Sequence, residues 1–285
     1  MKIAVTSASG KLGASIVKHL INLIGKENVI GIARTVEKAA YLGVEIRKGD
    51  YNSREDFNSA LQGVDAVLLV SGMDEPQKRI QQHRNVIEAA KQNGVKKIVY
   101  TSIVGDEDKN AFSPIVQSNR QTEKDVQASG LQWVIGRNGI YIEPDLEYLD
   151  TYIKEGRIEN CAGQGKCTYT SREELGYAYA KLLIEDKHNG QVYNLVGEPV
   201  TQSELAENIN KVYGTNLIYN SVTVDNYAAD RKAALGDFMG TVIAGIYEGI
   251  KAGANDVPSD FEKATGRAPK SLFEMISEFK AIEKE

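Results

Sequence analysis

The opening stretch, Lys2-Ile-Ala-Val-Thr-Ser-Ala-Ser-Gly-Lys-Leu-Gly13, leaves few folds open to this chain. Ile3 to Val5 read as a short buried strand, Thr6 to Gly10 as a turn of small residues, and Leu12, Ile16, Val17 and Leu20 as the apolar stripe of a helix. A strand that enters a helix through such a turn, ahead of further alternating strands and helices, belongs to a doubly wound α/β sheet. In that arrangement the helix presents unpaired N–H groups and a partial positive charge to a dinucleotide pyrophosphate. Thr6, Ser7, Ala8, Ser9, Gly10 and Lys11 are therefore the expected phosphate cradle; Gly10 permits close backbone approach, and Gly13 close packing of helix on strand. A GxxGxxG pattern would put its first glycine at Ser7, so the turn departs from the pattern there. The plain alternative is a structural turn between a strand and a helix.

The second strand, Val29 to Ala33, ends in Arg34. An acidic residue at that point would bond the adenosine ribose 2′-hydroxyl and mark NAD; Arg34 offers a guanidinium fork to a 2′-phosphate instead. NADPH is the expected cofactor, NADH the lesser one, with Lys11 and Lys38 as further cations; against this stands Arg34 as a solvated strand-end residue. After a third strand, Val44 to Arg47, Asp50 and Tyr51 form a polar tip that either borders the adenine or, for Asp50, caps the helix starting near Ser53. The continuous apolar run Ala66 to Val70 suits a strand buried on both faces, and Ser71, Gly72 and Met73 at its end leave room for a ring or ribose. A helix from Gln77 to Asn93 closes at Gly94, and strands follow at Lys97 to Tyr100, with Thr101 and Ser102 as its tip, and at Leu131 to Gly136.

Past residue 140 the alternation loosens. Gly163-Gln-Gly165 marks a loop, and Ser171 stands three residues before Glu174 as at a capped helix start. Val192 to Val196 and Leu217 to Tyr219 read as strands, and Gln202 to Val212 as a helix, with more helices toward the C-terminus. The expected organisation is a Rossmann-type doubly wound parallel sheet over residues 1–140, with a smaller, mainly helical substrate lobe over 141–285 that interleaves with the sheet's edge.

Charge and cysteine content narrow the partners. With 34 Lys and Arg against 39 Asp and Glu, a net charge of −5 offers nothing to nucleic-acid phosphates, and no apolar run reaches membrane-spanning length. Cys161 and Cys167 have no matching second pair, and His19, His83 and His188 are scattered, so no metal is expected and both cysteines read as reduced thiols of a cytoplasmic protein.

Several segments together carry a resemblance: Ala4 to Gly13, Gly49-Asp-Tyr51, His83 to Ile87, Tyr100-Thr-Ser102, Thr122-Glu-Lys124, Arg137 to Tyr141, Thr170-Ser-Arg172, and Ser259-Asp-Phe-Glu with Thr265-Gly-Arg-Ala-Pro. They cover nearly the whole chain. The chain resembles the NmrA-like atypical short-chain dehydrogenases, and among them most the type 2 NAD(P)H:quinone oxidoreductases. The resemblance implies cofactor contacts on Thr6 to Lys11 and Arg34, and nicotinamide and substrate contacts on Ser71 to Met73, Asn138 to Glu143 and Arg172.

A typical short-chain dehydrogenase exchanges a proton through Tyr-x-x-x-Lys. Residues Ile115 to Lys124, where the pair belongs, contain no tyrosine; Tyr177-x-x-x-Lys181 has the spacing but lies on a downstream alanine-rich helix and reads as chance. This disfavours alcohol dehydrogenation, and still more a sugar-nucleotide epimerase, than it does quinone reduction, where orienting a conjugated acceptor over the nicotinamide supplies much of the catalysis. Asn138, Gly139 and Tyr141 are expected beside the acceptor, Tyr141 stacking on a flat ring or donating a hydrogen bond, or else serving as a boundary aromatic. Arg172 either stabilises charge on the acceptor oxygen or forms an ordinary ion pair; His83 is expected to be structural. Two functions compete: hydride transfer to a quinone or similar small conjugated acceptor, and cofactor sensing without chemistry through a protein partner. A homodimer is compatible with both.

Overall fold

The computed structural model describes residues 1–282. Along the chain, strands β1 (Ile3–Val5), β2 (Val29–Ala33), β3 (Glu45–Lys48), β4 (Ala66–Leu69), β5 (Lys97–Ile103) and β6 (Gln132–Asn138) alternate with helices α1 (Lys11–Ile24), α2 (Arg54–Ala60), α3 (Pro76–Gln92) and α4 (Ser113–Gln127), apart from a 3₁₀ turn between β2 and β3. Then come β7 (Ile140–Tyr141), α5 (Glu143–Glu147), α6 (Leu149–Glu155), β8 (Arg157–Asn160), β9 (Lys166–Thr170), α7 (Arg172–Ile184) and β10 (Gln191–Leu195). The remainder holds β11 (Pro199–Thr201), α8 (Gln202–Tyr213), β12 (Ile218–Ser221), α9 (Val224–Leu235), α10 (Asp237–Lys251), α11 (Phe261–Thr265) and α12 (Leu272–Ile282).

The central sheet has seven strands in the order β10-β6-β5-β4-β1-β2-β3, all parallel. This is the doubly wound α/β fold expected from the opening stretch. Because successive strand residues face opposite ways, Ile3 and Val5 join one core with α1 and α7, while Ala4 joins the other with Ile30, Ile32, Phe57 and Tyr100. The strand order reverses beside β1, which places the carboxyl ends of β1 and β4 at the crevice where this fold takes ligands.

Beyond residue 140 the chain returns to the sheet through α7 and β10, and builds a third core from Ile142, Leu146, Ile158, Tyr169, Leu205, Ile250 and Ile276. Two small sheets, β11-β9-β7 and β12-β8, accompany the helices there. Strands of two to five residues paired across long sequence distances leave too little pattern to read, so only β12 was expected among them. Thr101 and Ser102, expected as a strand tip, lie inside β5 and pair with Gly136 and Arg137. Ser171 does cap α7, accepting from the Glu174 N–H at 3.1 Å. The Glu174 carboxylate, however, does not reach back to the cap; it is taken by Arg267 and by the Lys270 N–H, both at 2.9 Å. Among the described residues no helix is long and apolar enough to cross a membrane, and no three His, Cys, Asp or Glu are grouped to hold a metal ion.

Candidate active site

The turn after β1 is held from beneath. Thr6 is fully buried; its Oγ1 accepts from the Val70 N–H at 2.9 Å and shares a 2.7 Å hydrogen bond with the Tyr51 hydroxyl. Tyr51 in turn donates to the Val70 carbonyl at 2.6 Å and accepts from Ser7 Oγ at 3.2 Å, so it ties β1 to β4. Burial pushes its phenol up to about 12, and it stays a neutral brace. Tyr51 thus fastens the turn after β1 from beneath. Asp50 accepts from the Asn52 N–H, and the cap of α2 is Ser53, not Asp50.

Ser7 sits at φ 51°, the one non-glycine residue among those described with a positive φ. The residue that breaks the glycine pattern therefore keeps the left-handed backbone a glycine there would take, at roughly 1–2 kcal/mol. Its carbonyl accepts from the Gly10 N–H at 2.9 Å, and a Cβ on Gly13 would lie 2.3 Å from the same oxygen. Ala8 is buried and its N–H is bonded to Ile32 O, whereas Ser9, Gly10 and Lys11 are exposed. Helix α1 starts without a side-chain cap and without an acidic residue in its first turn. An uncapped positive helix end over an exposed small-residue turn fits a pyrophosphate. Arg34, exposed at the end of β2, makes no hydrogen bond or salt bridge among the described residues, and a 2′-phosphate fits it. Its electrostatic neighbour is Asp74, whose carboxyl is held low by Gln82, by Lys78 and, least, by Arg34.

A cavity of about 1030 Å³ lies between the carboxyl ends of β4, β5 and β6 and the helices beyond residue 140. Ser71, Gly72, Met73, Asn138, Gly139 and Tyr141 line it beside Leu12, so these six sequence-predicted residues converge, whereas Thr6 to Lys11, Gly13, Arg34, Asp50 and Tyr51 do not line it. The Gly72 N–H donates to His83 Nε2 at 2.9 Å, and His83 Nδ1 meets Thr122 Oγ1 at 2.9 Å. Burial, with Arg79 beside it, lowers the His83 pKa to about 3, so the ring is a neutral acceptor that positions the loop. Ser71 is held by Thr101 Oγ1 through its N–H and donates to Asn119 Oδ1 at 3.1 Å; Met73 is exposed at the mouth.

Asn138 is pinned: Tyr179 donates to its Oδ1 at 2.6 Å, and its Nδ2 donates to the Tyr141 hydroxyl at 3.0 Å. Burial pushes the Tyr141 phenol up to about 12, which leaves it a neutral hydrogen-bonding group. A Cβ on Gly139 would meet Thr168 O at 2.3 Å, so only glycine lets β9 pass this close. Arg172 does not line the cavity. Its guanidinium lies 5.7 Å from the Tyr141 ring centroid and 3.0 Å from Glu147, whose carboxylate also takes Lys11 at 2.6 Å. Lys11 and Arg172, both expected to serve ligands, thus share one carboxylate across the crevice.

The lining beyond Tyr141 was not foreseen. Asp145, Tyr148, Tyr152, Tyr227 and Tyr247 face the cavity, together with Phe238, Met239 and Ile243 of α10. The available signal was the 14 tyrosines against 6 phenylalanines, in particular Tyr148 and Tyr152 one helical turn apart. Arg79 also lines it, buried and bonded to the Gly72 and Ile115 carbonyls. No tyrosine stands on α4, and Tyr177 packs under Arg267 at 4.7 Å while Lys181 pairs with Glu185 at 2.9 Å. Neither Tyr177 nor Lys181 lines the cavity.

Residues 7–183 match the model of a family described as NAD(P)H-binding. The chain belongs to this NAD(P)H-binding family. Within it, the chain is 33% identical over 283 residues to quinone oxidoreductase 2 of Escherichia coli, covering 96% of this chain and 97% of that one. The structure superposes on NADPH-dependent quinone oxidoreductase of E. coli complexed with NADPH at a TM-score of 0.89, with 32% identity and coverage of 98% and 99%. A Citrobacter triphenylmethane reductase complexed with NADP(H) gives 0.88, 31%, 98% and 99%. The NmrA-like resemblance read from the sequence stands on these matches together with an NmrA-like oxidoreductase of Aspergillus flavus.

Proposed function

We propose that this family member is an NADPH-dependent reductase that passes hydride to a quinone or similarly conjugated acceptor held in the 1030 Å³ cavity. The observation that carries the reading is the cavity itself: it is large and aromatic-lined, it takes in Leu12 of α1 with the strand-end residues Ser71 to Met73 and Asn138 to Gly139, and no Tyr-x-x-x-Lys pair faces it. Residues 1–140 hold the cofactor in this reading, and 141–285 shape the acceptor side. Ser9, Gly10, Lys11 and the first N–H groups of α1 hold the pyrophosphate; Arg34 takes the 2′-phosphate; Ser71 to Met73 and Asn138 to Gly139 border the nicotinamide.

NADPH supplies the hydride when bound. The protein orients the acceptor between Tyr141 and the tyrosines of the lobe, and the apolar wall of α10 excludes water. Orientation of this kind contributes several kcal/mol to a hydride step. Asn138 keeps the Tyr141 hydroxyl in place. A purely sensing role would leave the acceptor side of the cavity without a purpose. Cytoplasmic residence is part of the proposal, supported by the free thiols of Cys161 and Cys167, and so is a homodimer, which light scattering tests.

The test is anaerobic single-turnover oxidation of NADPH with a benzoquinone and naphthoquinone panel, against enzyme-free and heat-denatured controls. Protein-dependent oxidation with hydroquinone formation is expected. Saturable NADPH binding with no oxidation above the controls would put the sensing role first.

A further inference from the structure

The mechanism above leaves one proton unassigned. A quinone that accepts hydride gains two electrons and one hydrogen, and the oxygen that collects the charge needs a second hydrogen as H⁺. The Tyr-x-x-x-Lys pair that supplies it in related chemistry has no counterpart on α4. Of the carboxyls that line the cavity, Asp145, Glu155, Glu159 and Asp230, one is buried. Asp145, on α5, lines the acceptor cavity although only 5% of its surface is exposed. Tyr152, also in the lining, donates to its Oδ1 at 2.8 Å.

We propose that Asp145 is the general acid of this reductase, with Tyr152 as its positioning residue, a role that rests on the quinone-reductase reading. As hydride reaches the acceptor, the carboxyl O–H of Asp145 breaks and an O–H forms on the acceptor oxygen that carries the developing charge. The carboxylate left behind regains its proton from water through the cavity mouth. Every electron comes with the hydride, and the acid contributes only H⁺.

The surroundings suit an acid. The groups that face Asp145 are Tyr152 of α6, Tyr169 and Cys167 of β9, Tyr227 of α9 and Tyr247 of α10; no lysine, arginine or histidine is among them. Without a cation to stabilise the carboxylate, burial outweighs the hydrogen bonds from Tyr152 and Tyr169 and raises the carboxyl from 3.8 to about 6. An acid with that pKa is protonated often enough near neutrality to deliver a proton and weak enough to be reloaded.

Two measurements test the assignment. In cofactor-free protein, the infrared carbonyl band of a buried protonated carboxyl is expected to titrate near pH 6 and to be absent from Asp145→Asn. In single-turnover NADPH oxidation with saturating benzoquinone, the wild-type rate is expected to be level below pH 6 and to fall about tenfold per unit above it. Asp145→Asn is expected to lose about a hundredfold and the pH break with it. Tyr152→Phe removes a bond that favours the carboxylate, so it is expected to keep the break and move it upward, an effect mere packing would not produce. A wild-type rate that is flat from pH 5 to 8, or Asp145→Asn reacting at the wild-type rate, overturns the role of Asp145 alone. Absence of NADPH oxidation by wild type overturns the parent reading and this one together.

Discussion

Ser7 shows how a single residue can depart from a motif and keep its geometry. The backbone there is left-handed, with φ 51°, and Ser7 Oγ bonds the Tyr51 hydroxyl at 3.2 Å, a contact no glycine can make. Part of the strain is thereby offset, and the turn stays compatible with a closely packed Gly13. Arg34 is the other residue on which much depends. Its guanidinium is exposed and carries no salt bridge among the described residues, so replacing it disturbs no visible structure. Arg34→Glu exchanges the proposed partner of a 2′-phosphate for a group that repels it. Titrations of both cofactors are expected to move the NADPH-to-NADH affinity ratio toward NADH by roughly 10- to 100-fold, the worth of charge-assisted hydrogen bonds. An unmoved ratio removes Arg34 from the cofactor site.

At the scale of elements, α7 joins the two halves of the chain. It packs against α1 through Leu175, Ala178, Tyr179 and Leu182, pins Asn138 through Tyr179, and fixes the C-terminal segment through Glu174. Glu174 is 2% exposed and its carboxylate takes the Arg267 guanidinium and the Lys270 N–H. The Thr265-Gly-Arg-Ala-Pro motif near the C-terminus thus has a structural role, because Arg267 covers both a buried carboxylate and the ring of Tyr177. Arg267→Ala leaves Glu174 with only its Lys270 contacts. Urea unfolding is expected to show a loss of about 2 kcal/mol. A second motif pairing, Glu123 with Arg137 at 2.6 Å and Arg120 at 2.8 Å, locks α4 to β6 beside Asn138. Thr122-Glu-Lys124 and Arg137 to Tyr141, separate segments in the sequence, are the two sides of one ion pair.

For the whole molecule, Asp145 couples the cavity to stability. Its folded pKa of about 6 stands above the usual 3.8, so between those values the folded state binds more protons than the unfolded chain. Stability contributed by the neutral carboxyl is complete below about pH 4 and is lost as pH rises through 6. Asp145→Asn keeps an acceptor for the Tyr152 hydroxyl and removes the buried charge. Its stability relative to wild type, from urea midpoints, is expected to be near parity at pH 4 and to rise by up to roughly 3 kcal/mol at pH 7.5. Equal gains at both values would mean that the carboxyl does not ionise in the fold. A variant more stable and less active would mark the cost of keeping an acid in an apolar cavity.

The sequence by itself determined the parallel sheet, the small-residue turn after β1, the cation at the end of β2 and the absence of a Tyr-x-x-x-Lys pair on α4. Each of these is written in contiguous residues: an apolar run, a small-residue turn, a helical stripe, a spacing. Tertiary structure decided the rest. Tyr51 braces the turn from 45 residues away, Arg267 meets Glu174 across 93, and Lys11 shares Glu147 with Arg172 across 136. Asp145 became a candidate acid only when β9, α9 and α10 closed around it and left it without a cation. A side chain's ionisation depends on its neighbours in space, and the sequence near Asp145 names only one of the elements that surround it.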